Sequence, residues 1–230
     1  MSVLSSADGP NGHSGNSGPY RRIFVKQVHL LIALGYARID LESFRNAQEP
    51  AITGELVRQI RLVIEDRDSP SHFWAHRYAI HDDPPQNIPG LQGKKRPRVD
   101  IEMERTQRGP HARFQFEAKK FPVGRKDAVG EYIGENGLGS FISGRYAETL
   151  DDAGMLAYVQ SGSVTDWIEK VKTRLEKQRD SCELDEEWAK AQIVEDIENC
   201  YRTVHYRKRI GGRLVVYHSF LSINKSSAVE

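Results

Sequence analysis

Residues 98–121 read RVDIEMERTQRGPHARFQFEAKKF, and apolar and polar side chains alternate along both halves of this stretch. Alternation with a period of two is typical of β-strands, and the Gly109-Pro110 pair between the halves favours a turn. A turn centred just before Gly109 makes paired positions add up to 217. Ile101 then faces Phe116 and Met103 faces Phe114, so both apolar faces coincide. The stretch therefore predicts a β-hairpin with a single register.

The same register puts two carboxylates and an amine on one face of the hairpin. Asp100 lies opposite Glu117, and Lys119 follows two residues later on the same side. Two facing carboxylates repel each other unless a cation lies between them. An oxygen-lined site for a divalent metal, with an amine beside it, suits metal-assisted hydrolysis of a phosphodiester. Glu102 shares this face and is a second-ranked metal ligand.

Asp100 followed by Glu117-Ala118-Lys119 resembles the motif of the PD-(D/E)xK superfamily, which has the restriction-endonuclease-like fold. The resemblance covers residues 53–159, less than half of the chain. One departure is that Pro97 precedes the aspartate by three positions, whereas the proline of the family motif usually adjoins it.

The resemblance implies a site with defined roles. Asp100, Glu117 and the Ala118 carbonyl would bind Mg²⁺ or Mn²⁺, and Lys119 would orient the attacking water or help to deprotonate it. In this family a helix before the hairpin often supplies a further acidic residue, and Glu55 is the candidate for it here. The alternative for Glu55 is a surface glutamate that is favoured near a helix N-terminus.

The fold class that follows is α/β, a restriction-endonuclease-like core with a central mixed β-sheet flanked by helices, plus a C-terminal β-hairpin. Residues 1–19, rich in Gly, Ser and Asn, are predicted to be a disordered tail. Residues 20–230 are expected to form one restriction-endonuclease-like nuclease domain, with a catalytic core at about 51–178 and a helix-and-hairpin extension at 184–223.

Hydrophobic periodicity predicts the remaining elements. Helices are expected at 20–36, 51–66, 163–177 and 184–201. Strands are expected at 73–80 and at 153–160, the second of them central in the sheet. The glycine-rich segment 126–147 is expected to be a broken helix that crosses from the hairpin to the next strand.

A second hairpin is predicted near the end of the chain, around Gly211-Gly212, which favours a two-residue turn. Its paired positions add up to 423, so that His205 faces His218. Two histidines are too few to hold zinc alone. A structural pair is favoured, and a pair that contacts phosphate is the alternative.

Basic residues surround the proposed site. Between Lys94 and Lys126 there are 11 Lys and Arg against 4 Asp and Glu, a local charge of +7 in a chain whose net charge is +1. A basic stripe around an acidic pocket suits a phosphate backbone, and a solvated surface is the alternative. The candidate contacts with nucleic acid are Lys94, Lys95, Arg96, Arg98, Lys120, Arg125, Lys126, Arg145 and Arg207.

These features together predict a metal-dependent endonuclease that hydrolyses DNA, with bacterial defence against phage or foreign DNA as the role that the resemblance implies. Cutting both strands suggests a homodimer or a complex with a partner protein. The alternatives are an RNA-directed or junction-directed nuclease, and a catalytically silent fold that binds nucleic acid or a partner. Two cysteines, no membrane-length apolar run and no signal-peptide pattern predict a cytoplasmic protein without membrane contact.

Overall fold

The structure is a computed structural model that describes residues 18–87, 90–106, 112–122 and 124–224. The predicted tail at 1–19 falls almost entirely outside these residues, and so does the predicted turn at Gly109-Pro110. In the described ranges, no helix is both long enough and apolar enough to cross a membrane.

Seven strands form one mixed sheet in the order β1-β2-β3-β4-β7-β6-β5. The strands are Tyr78–Asp82 (β1), Ile101–Arg105 (β2), Arg113–Phe121 (β3), Asp152–Val159 (β4), Leu184–Lys190 (β5), Cys200–Tyr206 (β6) and Arg213–Ser222 (β7). Strands β3, β4 and β7 are parallel to one another, and the other neighbouring pairs are antiparallel. The protein is therefore an α/β protein whose parallel strands occupy the centre of the sheet.

Helices cover both faces of the sheet. They are Pro19–Tyr36 (α1), Leu41–Phe44 (α2), Glu49–Glu65 (α3), His72–Ala75 (α4), Ala128–Ile133 (α5), Leu138–Ile142 (α6) and Val164–Lys177 (α7). One apolar core lies between the sheet and α1 and α3, and a second lies between the sheet and α5, α6 and α7. The expected mixed sheet flanked by helices is confirmed.

The register of the first hairpin is confirmed. Ile101 pairs with Phe116 and Met103 pairs with Phe114, and all four side chains are fully buried. Their face packs against α1 and α3. The opposite face of β3 carries Glu117, which is therefore turned towards the second core.

The central strand β4 is buried along its whole length, as a strand with parallel neighbours on both sides and helices above and below should be. Gly154 permits its close contact with β3, because a β-carbon there would lie 2.2 Å from Cδ1 of Phe116. Gly35 has a similar role between helices, where a β-carbon would lie 2.4 Å from Cγ1 of Ile60. The glycine-rich segment forms the broken helix α5–α6, as predicted.

Two predicted elements are wrong. The helix predicted at 184–201 is instead the edge strand β5, a connecting segment and the start of β6. Strand β5 exposes most of its charged residues, so its apolar spacing resembles that of a helix. The strand predicted at 73–80 begins later, because the short helix α4 precedes β1.

The register predicted for the last hairpin is also wrong. His205 pairs with Leu214 and His218 pairs with Tyr201, so paired positions add up to 419 and not 423. The strands are joined by residues 207–212, a longer connection than the predicted two-residue turn. Because the shift is an even number of residues, both histidines still lie on one face of the sheet.

Candidate active site

The three residues singled out by the hairpin pattern come together at the end of β3 that leads towards α5. Oδ2 of Asp100 accepts a hydrogen bond from the backbone N–H of Ala118 at 2.6 Å. Nζ of Lys119 lies 2.8 Å from Oε1 of Glu117 and 2.7 Å from the Ala118 carbonyl oxygen. Asp100 lies just before β2 begins, one position beyond the last pair in the register, Ile101 and Phe116, so it faces Glu117.

The side chain of Glu117 is nearly buried, with 7% of its surface exposed. Its second oxygen, Oε2, is buried and has no hydrogen-bond partner among the residues that the structure describes. A buried carboxylate oxygen without a donor costs free energy, about 1–3 kcal/mol or more for a charged group. A bound cation would offset this cost by coordinating the oxygen.

The pKa values of both carboxyl groups are raised. Burial raises the pKa of Glu117 to about 8, and the negative charge of Asp100 adds to this effect. Burial also raises the pKa of Asp100 to about 6, against the opposing effect of its hydrogen bond from Ala118. Burial would lower the pKa of Lys119, but the carboxylates of Glu117 and Glu49 outweigh it and the pKa is raised. Lys119 therefore keeps its proton.

The donor set fits Mg²⁺ or Mn²⁺, because both metals prefer oxygen ligands and keep several water molecules. In the described part of the chain, no three His, Cys, Asp or Glu side chains converge enough to hold a metal by themselves. A metal ion here would be held by Asp100, Glu117 and the Ala118 carbonyl, with water or substrate oxygens completing its shell. Glu102, the second-ranked ligand, is hydrogen-bonded to Gln115 at 2.5 Å.

The acidic residue that a helix brings to this site is Glu49, and not Glu55. Glu49 begins α3, and its carboxylate lies 3.4 Å from Nζ of Lys119 and 2.9 Å from the backbone nitrogen of Lys120. Glu55 lies a turn and a half further along and pairs with Arg58 at 2.7 Å. The signal that could have identified Glu49 is the Glu-Pro pair at a helix start, because proline favours the first turn.

Sequence reasoning also missed the roles of Gln115 and Tyr146. The side chain of Gln115 is buried, donates to Gln86 at 2.8 Å and accepts from the backbone nitrogen of Ala147 at 2.8 Å. The hydroxyl of Tyr146 donates to the carbonyl of Arg98 at 2.6 Å. Burial, together with the nearby charge of Glu117, raises the pKa of Tyr146 to about 12, so the hydroxyl stays protonated.

Most of the basic residues predicted to contact nucleic acid lie at the surface. Lys94, Lys95 and Lys126 are exposed. Five others are held by neighbours: Arg96 by Asn87, Arg98 by Asp83, Lys120 by Gln48, Arg125 by Glu131, and Arg145 by Asn136. Two of these contacts, Arg98 with Asp83 and Arg125 with Glu131, are exposed ion pairs. Such pairs are worth at most about 1 kcal/mol, so a phosphate could replace the acidic partner.

Arg207 is the exception, and the prediction that it contacts nucleic acid is wrong. It is 3% exposed, and its guanidinium donates to the carbonyls of Ala147 and Leu150 at 2.7 and 2.9 Å. Its partners are backbone atoms of the turn after α6. Arg207 therefore joins this turn to the end of the sheet.

The two histidines of the last hairpin belong to a buried chain of hydrogen bonds. The hydroxyl of Thr203 lies 2.7 Å from Nε2 of His205 and 2.9 Å from Nε2 of His218. Nδ1 of His205 reaches the Cys182 carbonyl at 2.7 Å, and Nδ1 of His218 reaches the Tyr132 hydroxyl at 2.9 Å. All four ring nitrogens have partners, which favours the structural interpretation of this pair.

The chain matches no protein-family model, no curated protein and no solved structure. The assignment of its function therefore depends on the residues of the site.

Proposed function

We propose that this protein is a divalent-metal-dependent endonuclease with a restriction-endonuclease-like core, and that it hydrolyses phosphodiester bonds in DNA. The observation that carries the proposal is the buried, unpartnered Oε2 of Glu117, beside Asp100 and Lys119. Buried polar groups generally have a hydrogen-bond partner, so this oxygen is available to bind a cation beside Asp100.

Each residue has a role that follows from its contacts. Asp100, Glu117 and the Ala118 carbonyl would hold Mg²⁺ or Mn²⁺, which when bound polarises a phosphate oxygen and makes water a better nucleophile. Lys119 keeps its proton between Glu117 and Glu49, which favours orienting the water and offsetting charge on the phosphate over removing a proton. Glu49 holds the Lys119 ammonium from the helix side.

The exposed cations supply the substrate-binding surface. Lys94, Lys95 and Lys126 are exposed, and they are the residues that we expect to contact the phosphate backbone. The resemblance adds two further parts to the proposal: a role in bacterial defence against phage or foreign DNA, and a homodimer or partner complex that cuts both strands.

The test is cleavage of plasmid DNA and of single-stranded, double-stranded and RNA oligonucleotides in Mg²⁺, Mn²⁺ or EDTA. Wild type should cut DNA only with metal, and Glu117→Gln and Lys119→Ala should be inactive. Cleavage at the wild-type rate in Glu117→Gln would contradict the proposed site. Cleavage of RNA alone would favour the RNA-directed nuclease. Tight DNA binding without cleavage would favour the catalytically silent binding module.

A further inference from the structure

Asp100 does not belong to a regular strand, and its position depends on contacts from neighbouring segments. The preceding residues are joined to the connection after β1, where the Gln86 backbone donates to the Pro97 carbonyl at 2.8 Å. The Asp83 backbone donates to the Asp100 carbonyl at 3.0 Å. The Arg98 carbonyl, two residues before Asp100, accepts the hydroxyl of Tyr146 at 2.6 Å. Tyr146 therefore holds this segment by a side-chain hydrogen bond from the turn after α6.

Tyr146 is itself well fixed. It is 7% exposed, and its ring meets that of Phe141 edge to face, with centroids 5.8 Å apart. The next residue, Ala147, has a φ of 51°, a left-handed conformation that only a well-anchored turn retains. Its nitrogen donates to Gln115 on β3, and its carbonyl accepts from Arg207 beyond β6.

The contacts form a continuous path from the last hairpin to the site. The Arg207 guanidinium donates to the carbonyl of Ala147, which follows Tyr146 in the chain. The Tyr146 hydroxyl in turn donates to the Arg98 carbonyl. The segment that begins there carries Asp100.

We infer that Tyr146 is a positioning residue that sets the Asp100 carboxylate in the geometry needed for metal binding, with Arg207 supporting its turn from the last hairpin. The inference rests on the proposed function, because it takes Asp100 to be a metal ligand. Removing residues that orient metal ligands typically lowers metal affinity or activity about 10–100-fold. Tyr146 acts through the backbone, so we expect the lower end, about 10-fold.

The test compares Tyr146→Phe with Tyr36→Phe in the full chain. Tyr36 is a matched control, because its hydroxyl also donates to a backbone carbonyl, that of Ser222. Each substitution removes one hydroxyl and keeps the ring. Binding of Mn²⁺ is measured by titration calorimetry, cleavage is measured over a range of Mn²⁺ concentrations, and thermal unfolding is measured with chelator.

The expected result is a Kd for Mn²⁺ that rises about 10-fold in Tyr146→Phe and is unchanged in Tyr36→Phe. Cleavage by Tyr146→Phe should recover towards the wild-type rate at high Mn²⁺, and both variants should lose similar thermal stability. Equal Mn²⁺ affinity in the two variants would overturn this inference and leave the proposed function intact. A wild-type protein that binds no Mn²⁺ would overturn both.

Discussion

Two polar clusters lie on the same face of the sheet, one on each side of Met155. Glu117 pairs with Met155 across β3 and β4, and Met155 pairs with His218 across β4 and β7. Both clusters are largely buried, although Asp100 and Lys119 are partly exposed and the two histidines are fully buried. They differ in whether their polar atoms are satisfied.

The histidine cluster is closed. A carbonyl only accepts, so His205 donates from Nδ1 to Cys182, and its Nε2 accepts the proton of the Thr203 hydroxyl. His218 then donates from Nε2 to Thr203 and accepts at Nδ1 from Tyr132. Every proton has one acceptor and both rings are neutral, whereas the carboxylate cluster keeps charge and the open oxygen of Glu117. Among the described residues, the unpartnered oxygen of Glu117 is what separates the carboxylate cluster from the hydrogen-bonded histidine rings.

Glu117→Gln should have the largest effect, and stability and activity should change in opposite directions. Losing a metal-binding carboxylate removes several kcal/mol of transition-state stabilisation, so turnover should fall about 10³-fold or more. Metal-free protein should melt at a higher temperature at neutral pH, because burial raises the pKa of Glu117 to about 8 and glutamine avoids the free-energy cost of keeping that carboxyl protonated. Cleavage rates measure the first effect, and thermal unfolding with chelator measures the second. A lower melting temperature would mean that Glu117 stabilises the metal-free protein, as a residue of the histidine cluster does.

Without metal, the protein should lose stability at both low and high pH. The histidines should cause the loss at low pH, and Glu117 should contribute to the loss at high pH. The unfolded histidines bind a proton near pH 6.5, but burial lowers the pKa of His205 to about 4 and also lowers that of His218 well below its usual value. Stability is therefore lost as pH falls from 6.5 towards 4. The pKa of Glu117 is raised to about 8 by burial, so its unfolded form loses its proton first and stability falls as pH rises from about 4.5 to 8.

Urea unfolding of wild type and Glu117→Gln between pH 4 and 9, in EDTA, separates the two sides. The variant should retain the acid-side loss and lack the part of the alkaline-side loss that Glu117 causes. Identical profiles above pH 5 would show that Glu117 ionises normally.

Thr203→Val should affect the closed cluster alone. The substitution keeps the shape of the side chain but leaves Nε2 of both histidines without a partner. Leaving these two buried nitrogens without a hydrogen-bond partner should lower the free energy of unfolding by about 2–3 kcal/mol. Urea unfolding measures the loss, and metal affinity should be unchanged; a neutral substitution would mean that the histidines find other partners.

Glu49→Gln and Glu55→Gln test which acidic residue of α3 serves the site. Glu49 holds Lys119, so its substitution should slow cleavage about 10-fold at saturating metal. Glu55 pairs with Arg58 on its own helix, and its substitution should leave the rate unchanged. Single-turnover cleavage distinguishes them, and the reverse order would restore the sequence-based assignment.

Arg98→Ala should have the smallest effect. Arg98 is half-exposed and paired with Asp83, so stability should change by less than about 0.5 kcal/mol. DNA binding by the Glu117→Gln background should weaken, with a salt slope smaller by about one unit. An unchanged slope would place the phosphate path away from Arg98.

The parts of the fold that follow local rules were predictable. The first hairpin could be aligned because its apolar residues alternate on both strands, and a slip by one residue would bury charge. The same alternation is enough to bring Asp100, Glu117 and Lys119 to one face. Strand β5 was mistaken for a helix because an edge strand buries little, so its apolar residues do not mark its period.

The parts that depend on distant backbone were not predictable. Arg207 is buried only because the carbonyls of Ala147 and Leu150 meet it from about 60 positions away. Glu49 and Glu55 lie on the same helix, and which of them reaches Lys119 depends on how α3 is docked on the sheet. Such choices depend on tertiary packing, which periodicity does not encode.

The position of β7 has a consequence for how the protein is made. It follows every other described strand in the chain, yet it lies inside the sheet between β4 and β6. A ribosome releases β4 long before its second neighbour exists, so the nascent sheet carries an unpaired apolar edge until residue 222 has emerged. Exposed edges of this kind template aggregation. Versions of the chain that stop before β7 should therefore be insoluble, even though they contain the whole hairpin that carries Asp100, Glu117 and Lys119.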